Sequence, residues 1–134
     1  MGFSTALPEL LYLPVDTDRS APSVEGQESD PLSLLNTVKA LLRLRNSEED
    51  LQAKANLEII HAPSADHEDR SFIFKRGSCV IAVNPRESIV NVNHDKLMVN
   101  KTPLLLYSKG DCSYENGLIR LGGQSFGVWK IGIK

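Results

Sequence analysis

The spacing of apolar residues changes once along this chain. Between Asp30 and Leu51, in DPLSLLNTVKALLRLRNSEEDL, the apolar positions recur at helical intervals. Leu34, Leu35, Val38, Leu41 and Leu42 follow the i, i+1, i+4, i+7, i+8 pattern of one apolar face, which predicts an amphipathic helix. Asp30 is the expected N-cap, because its carboxylate can accept from an unpaired N–H of the first turn. Pro31 suits the first helical position, where a missing N–H costs nothing. Lys39, Arg43 and Arg45 lie toward the C-terminal end and complement the helix dipole. Ser47 is then expected to cap a short second turn, with Glu48, Glu49 and Asp50 at its positive end. Leu32 and Leu44 add apolar surface off the stripe, as in a helix packed between two layers.

Beyond Leu57 the pattern is one of strands. Leu57–His61, Ser71–Lys75, Ser78–Val83, Ser88–Asn93, Pro103–Ser108, Leu118–Leu121 and the closing SFGVWKIGI are short apolar runs bounded by turn residues. Arg76-Gly77 is expected to join the second and third runs as a hairpin, with glycine where positive φ is needed. Asn84-Pro85, Asn116-Gly117 and Gly122-Gly123 mark further turns. Short strands at regular spacing predict an antiparallel β-sandwich, so the fold class is mainly β, preceded by one long amphipathic helix. Residues 1–29 carry no sustained period. Pro8, Pro14 and Pro22 mark an extended, loop-like segment, within which LLYLPV at 10–15 reads as a short edge strand or an anchoring loop.

Charge and composition narrow the function classes. The formal net charge is −2 and no Lys/Arg cluster stands out, which disfavours nucleic-acid binding. No apolar run approaches the length of a membrane span. GFSTALPELLYLP after Met1 lacks a basic n-region and a small-residue cleavage site, so no signal peptide is expected there. Cys79 lies in an apolar strand and Cys112 in what reads as a polar loop, KGDCSYENG; both are expected to be free thiols. No Cys/His spacing suggests zinc, and His61, His67 and His94 share no ligand spacing, so no metal or cofactor is expected. Asp66, Glu68 and Asp69 could supply calcium oxygens but read better as a solvated turn. Trp129 sits in an apolar closing strand, where a core role is expected.

The quoted segments resemble a known family. GFSTALPELLYLPVD, followed by a polar stretch and SVEGQESDPLSLLNTVKALLRLR, resembles the end of the catalytic barrel in the α-amylase superfamily of glycoside hydrolases. Within that superfamily the segments look like those of the α-glucosidase, oligo-1,6-glucosidase and trehalose synthase-like enzymes. The "GFS…LPV" loop would follow the eighth barrel strand, and the helix beginning "DP.SLLN" would be the eighth barrel helix. Phe72–Arg76, Val80–Pro85 and Phe126–Ile131 are similar to strands of the C-terminal β-sandwich of such enzymes.

The resemblance implies two parts: residues 1–52 as the last barrel loop and helix, and 53–134 as the sandwich domain. It also implies what is missing. Retaining glycosidases use a nucleophilic Asp and an acid/base Glu roughly 5 Å apart, with a stabilising Asp, on loops at the C-terminal ends of barrel strands. All three precede the GFS loop in the family's order, so no catalytic residue is expected in this chain. Asn93-His94-Asp95 spells the family's NHD motif in the wrong place, about ninety residues after that loop, and reads as a strand end and turn. The implied role is a non-catalytic accessory domain of an enzyme acting on α-glucans or α-glucosides. The alternative is an independent carbohydrate-binding sandwich, which the low aromatic content of 6% disfavours. Tyr12, in the loop nearest the implied catalytic rim, is the sugar-contact candidate. The expected partners are the catalytic barrel, an α-glucan, or a second copy covering Leu34, Leu35, Val38, Leu41 and Leu42, since a large exposed apolar patch tends to find a partner.

Overall fold

The computed structural model describes residues 7–12, 21–63 and 70–132. The chain forms two compact units, Met1–Arg43 and Leu44–Lys134. Asp66, His67, Glu68 and Asp69 lie outside the described residues.

In the first unit, Pro8–Leu10 form one 3-10 turn, and α1 spans Val24–Ser29. The sequence pattern gave no sign of α1. It is six residues long, too short for a period to register, and its start is marked only by Ser23, whose hydroxyl accepts from Gly26 N at 3.1 Å. Leu10 to Tyr12 are not a strand.

The long helix, α2, spans Leu34–Ser47 and begins four residues after the expected cap. The reason is local. The Asp30 carboxylate accepts from Leu32 N at 2.9 Å, and Ser33 N donates to Asp30 O at 3.1 Å, which closes a turn ahead of the helix. The Ser33 hydroxyl then accepts from Asn36 N at 3.1 Å, so Ser33 is the working cap. Gln27 reinforces it: its amide oxygen accepts from Leu35 N at 3.1 Å, and its carbonyl accepts from Ser33 Oγ at 2.7 Å. Asn36 closes the set, donating to the Gln27 and Asp30 carbonyls. Thus α1 and the start of α2 are fastened by side chains that satisfy the helix's open N–H groups.

At the other end, Ser47 does not cap the following turn. Its hydroxyl donates back to Leu44 O at 3.0 Å, and the 3-10 turn Glu49–Leu51 starts without a side-chain cap.

The second unit is an antiparallel sandwich of eight strands: β1 Leu57–His61, β2 Phe72–Arg76, β3 Cys79–Asn84, β4 Val90–Asn93, β5 Leu104–Lys109, β6 Cys112–Glu115, β7 Leu118–Leu121 and β8 Ser125–Lys130. One sheet has the order β1-β2-β3-β8-β5, the other β4-β7-β6. The β2–β3 hairpin forms as expected, but its turn is Gly77-Ser78 and Arg76 stays in the ladder opposite Cys79. Gly77 carries the positive φ of 54°. Strand β6 corrects the polar-loop reading of KGDCSYENG. Cys112 and Tyr114 alternate inward opposite Leu121 and Ile119, and the Asn116-Gly117 turn returns the chain into β7.

The core lies between the sheets. Ile60, Ile73, Val80, Ala82 and Trp129 come from the larger sheet, and Val92, Tyr114, Ile119 and Leu121 from the smaller. Trp129 is buried, as its place in the closing strand implies, and meets Tyr114 edge-on with ring centroids 5.8 Å apart. Leu97, from the 3-10 turn Asp95–Leu97, closes one end, and Tyr114 Oη donates to its carbonyl at 2.7 Å. Cys79 and Cys112 are free thiols. Burial pushes the Cys79 thiol up to about 11.

Candidate docking face

Strand alternation gives each sheet one core face and one outer face, and the two outer faces differ. On the smaller sheet the outward positions are Asn91, Asn93, Ser113, Glu115, Leu118 and Arg120. Five of these six are polar, and Arg120 pairs with Asp111 at 2.6 Å. This is a face made for water.

The larger sheet is different. Ile73, Val80, Ala82 and Trp129 point to the core, so their neighbours point out. Register aligns Ile59, Phe74, Ile81, Val128 and Tyr107 in one row across all five strands. A second row holds Phe72, Val83 and Phe126. Phe72 and Phe74 stand 5.4 Å apart, and Tyr107 stacks on Phe126 at 5.9 Å. Leu57 and Ile59 on the β1 edge are each 57% exposed, and Leu104 on the β5 edge is half exposed. A sheet that is apolar on both sides has the composition of a middle layer.

Polar groups close one end of this face. Lys130 Nζ meets Glu48 Oε2 at 2.5 Å. Asp50 accepts from the Ser78 hydroxyl and from the Ser78 backbone N–H. Arg76 Nε donates to Gln52 O at 3.2 Å, and Gln52 Nε2 donates to Arg45 O at 2.5 Å. The segment from Arg45 to Gln52 is thereby stapled to the β2–β3 turn and the end of β8. The Ser78 hydroxyl bond, with help from Lys130, holds the Asp50 carboxyl below its ordinary value, and the Glu48 contact raises Lys130. The sequence signal for this staple was the acidic run Glu48–Asp50, which read as helix-end electrostatics rather than as partners for a distant hairpin.

Among the described residues of the second unit, those singled out for chemistry do not gather. Asn93 ends β4, and His94 caps the following 3-10 turn, its Nδ1 accepting from Lys96 N at 3.0 Å, so NHD is a strand end and turn, as its position implied. Lys96 then pairs with Glu58 at 2.7 Å, which lowers the Glu58 carboxyl. His61 lies in β1. Among the described residues, no three His, Cys, Asp or Glu side chains cluster as metal ligands would. Tyr12 is 98% exposed and lies in the first unit. Two grooves open at the Leu97 end of the sandwich. One is lined by Lys75, Ser78, Met98, Asn100, Lys101 and Ile131, the other by Asn100, Lys101, Thr102, Pro103, Glu115 and Asn116. Neither brings two carboxylates into one space, the minimum for paired acid/base work.

No protein-family model matches the sequence, and no curated protein does so significantly. Solved structures do match. The trehalulose synthase MutB from Pseudomonas mesoacidophila MX-45 superposes with a TM-score of 0.71 over 90% of this chain, at 14% identity. Eubacterium rectale Amy13B gives 0.68 over 92%, at 19% identity. The α-amylase from H. orenii gives 0.62 over 82%, at 20% identity. The fold is one found in α-amylase-family enzymes. This chain spans only 22% of the trehalulose synthase, 24% of Amy13B and 22% of the α-amylase. At these identities the likeness carries the fold, with about three quarters of each enzyme having no counterpart here.

Proposed function

We propose that this chain is the non-catalytic end of an α-glucan- or α-glucoside-acting enzyme. In this reading residues 1–52 are the last loop and helix of a catalytic barrel, and the sandwich braces that barrel through the outer face of its larger sheet. The observation that carries the reading is the contrast between the two outer faces, one polar and one lined by Ile59, Phe74, Ile81, Val128 and Tyr107. The part of the matched enzymes that has no counterpart here is large enough to supply the covering body. Fully covering Leu57, Ile59 and Leu104, each about half exposed, would contribute roughly 1 kcal/mol apiece.

A sugar platform on the same face is the weaker alternative. Its aromatics are interleaved with Ile81, Val83 and Val128, and of Phe72, Phe74, Tyr107 and Phe126 only Tyr107 offers a hydroxyl to a sugar. The test is glycosidase activity on maltose, isomaltose, trehalose and an aryl α-glucoside at high protein concentration. No turnover from folded protein is the expected result. Turnover that survives repurification and disappears in Asp95→Asn overturns the reading.

A further inference from the structure

We propose that the apolar stripe of α2 is a self-association surface, on which a second copy of this chain docks antiparallel with Val38 at the two-fold axis. The inference concerns the chain on its own and does not rest on the function proposed above.

Three observations carry it. The stripe is open: Leu34 is 69% exposed, Val38 43% and Leu42 52%, and the one buried side chain of α2 is the polar Thr37. A helix in a folded unit normally turns its leucines inward, whereas here Leu34 and Leu42 stay exposed and Leu35, Leu41 and Leu44 are only partly buried. The stripe is also self-complementary. Leu34, Val38 and Leu42 stand at i, i+4 and i+8, one above another on one face, with Leu35 and Leu41 flanking them. When two such helices run antiparallel about Val38, Leu34 of each copy comes level with Leu42 of the other at the centre of the contact, and Leu35 and Leu41 line its two edges. An isologous contact requires this reciprocity.

The third observation is charge. Exposed Asp30 sits just before the stripe and exposed Arg45 near its end. Antiparallel docking brings each Arg45 toward the other copy's Asp30. Parallel docking would set like charge against like, and would align the two helix dipoles unfavourably. Lys39 is already engaged by Glu28 at 3.1 Å and stays off the contact.

The contact is short. Fourteen residues of helix extend about 21 Å, so the interface is small and the affinity modest, on the order of 10 μM. Sedimentation of the full chain from about 0.5 to about 500 μM should show the mass rising from near the 14.8 kDa monomer toward twice that value. Val38→Glu puts two carboxylates at the axis and should weaken the dimer at least tenfold. Leu34→Glu, at the most exposed stripe position, should do the same with the least risk to folding, which far-UV circular dichroism checks. Ile59→Glu, on the sheet face, should leave the dimer intact. A monomer throughout the range overturns the inference. So does a dimer that survives both helix variants, or one lost only in Ile59→Glu, which would place self-association on the sheet.

Discussion

Gly77→Ala tests whether the staple between the helix end and the β2–β3 turn is a unit. Gly77 has φ of +54°, so any side chain there carries left-handed strain of about 1 kcal/mol. A Cβ at this position would also fall 2.3 Å from Asp50 Oδ1 and 2.7 Å from Asp50 Cγ, far inside contact distance. Asp50 must swing away, losing the Ser78 hydroxyl and N–H it now accepts. Charge-assisted hydrogen bonds contribute about 1.5–3 kcal/mol each when buried, and partial exposure here reduces the pair to roughly 1–2 kcal/mol. Gly77→Ala is therefore expected to destabilise the sandwich by about 2–3 kcal/mol. That corresponds to a Tm lower by roughly 8–12 °C for a domain of this size.

Two companions turn that magnitude into an argument. Gly132→Ala has the same handedness, φ +73°, and nothing within 4 Å of its added Cβ. It should cost no more than the strain, about 1 kcal/mol. Asp50→Ala alone should cost roughly 1–2 kcal/mol, and Gly77→Ala/Asp50→Ala should cost about as much as Gly77→Ala by itself. Once Asp50 is gone, the new methyl has nothing left to displace, so the two losses are shared rather than summed. Urea unfolding followed by Trp129, the chain's one tryptophan, reads the core of the second unit directly. Equal costs for Gly77→Ala and Gly132→Ala, or strict additivity with Asp50→Ala, would refute the reasoning.

Other measurements follow from the same structure. Asp50 has a folded pKa below its ordinary 3.8, so its contribution is present above that value and fades as pH falls further. The stability of Asp50→Asn should therefore fall less steeply below about pH 4 than that of the parent. Cys79 is fully buried with its thiol near 11, so its stabilising share is complete below 9.0 and fades as pH rises toward 11. A thiol reagent at pH 8 should reach half-buried Cys112 first, and Cys79 at the rate of unfolding; rapid native-state labelling of Cys79 would contradict its placement. Leu97→Ala removes a fully buried side chain and disturbs the carbonyl that Tyr114 Oη donates to, an expected loss of about 2–5 kcal/mol by chemical denaturation.

Much of the fold was legible because its signals were local. Seven of the eight strands lie where apolar runs between turn residues put them, and Gly77 and the Asn116-Gly117 turn carry the positive φ values that glycine and asparagine announce. Strand β6 was hidden because only two of its four residues face the core, Cys112 and Tyr114, and Asp111, Glu115 and Asn116 around them read as a loop. The start of α2 was misplaced for a related reason. Asp30, Ser33 and Asn36 all favour caps and turns, and periodicity cannot choose among them. Gln27 and Asn36 decide it through hydrogen bonds eight and nine residues apart in sequence.

The apolar outer face of the larger sheet was not legible, although every residue in it was visible. Phe72, Phe74, Ile81, Val83, Phe126 and Val128 look like core residues in a linear reading, because runs such as SFIFK and SCVIAV have no polar alternation. Register separates them: Ile73, Val80, Ala82 and Trp129 turn to the sandwich core, and the rest turn to the other side. Continuous apolar strands are expected of sheets covered on both faces, whereas a two-layer sandwich facing water should alternate, as β4, β6 and β7 do with Asn91, Ser113 and Arg120. The two outer faces of one sandwich thus differ in composition, and the proposed function is argued from that difference. Apolar side chains on both faces of the larger sheet, with Leu57, Ile59 and Leu104 half exposed along its edges, are what the proposed covering body rests on.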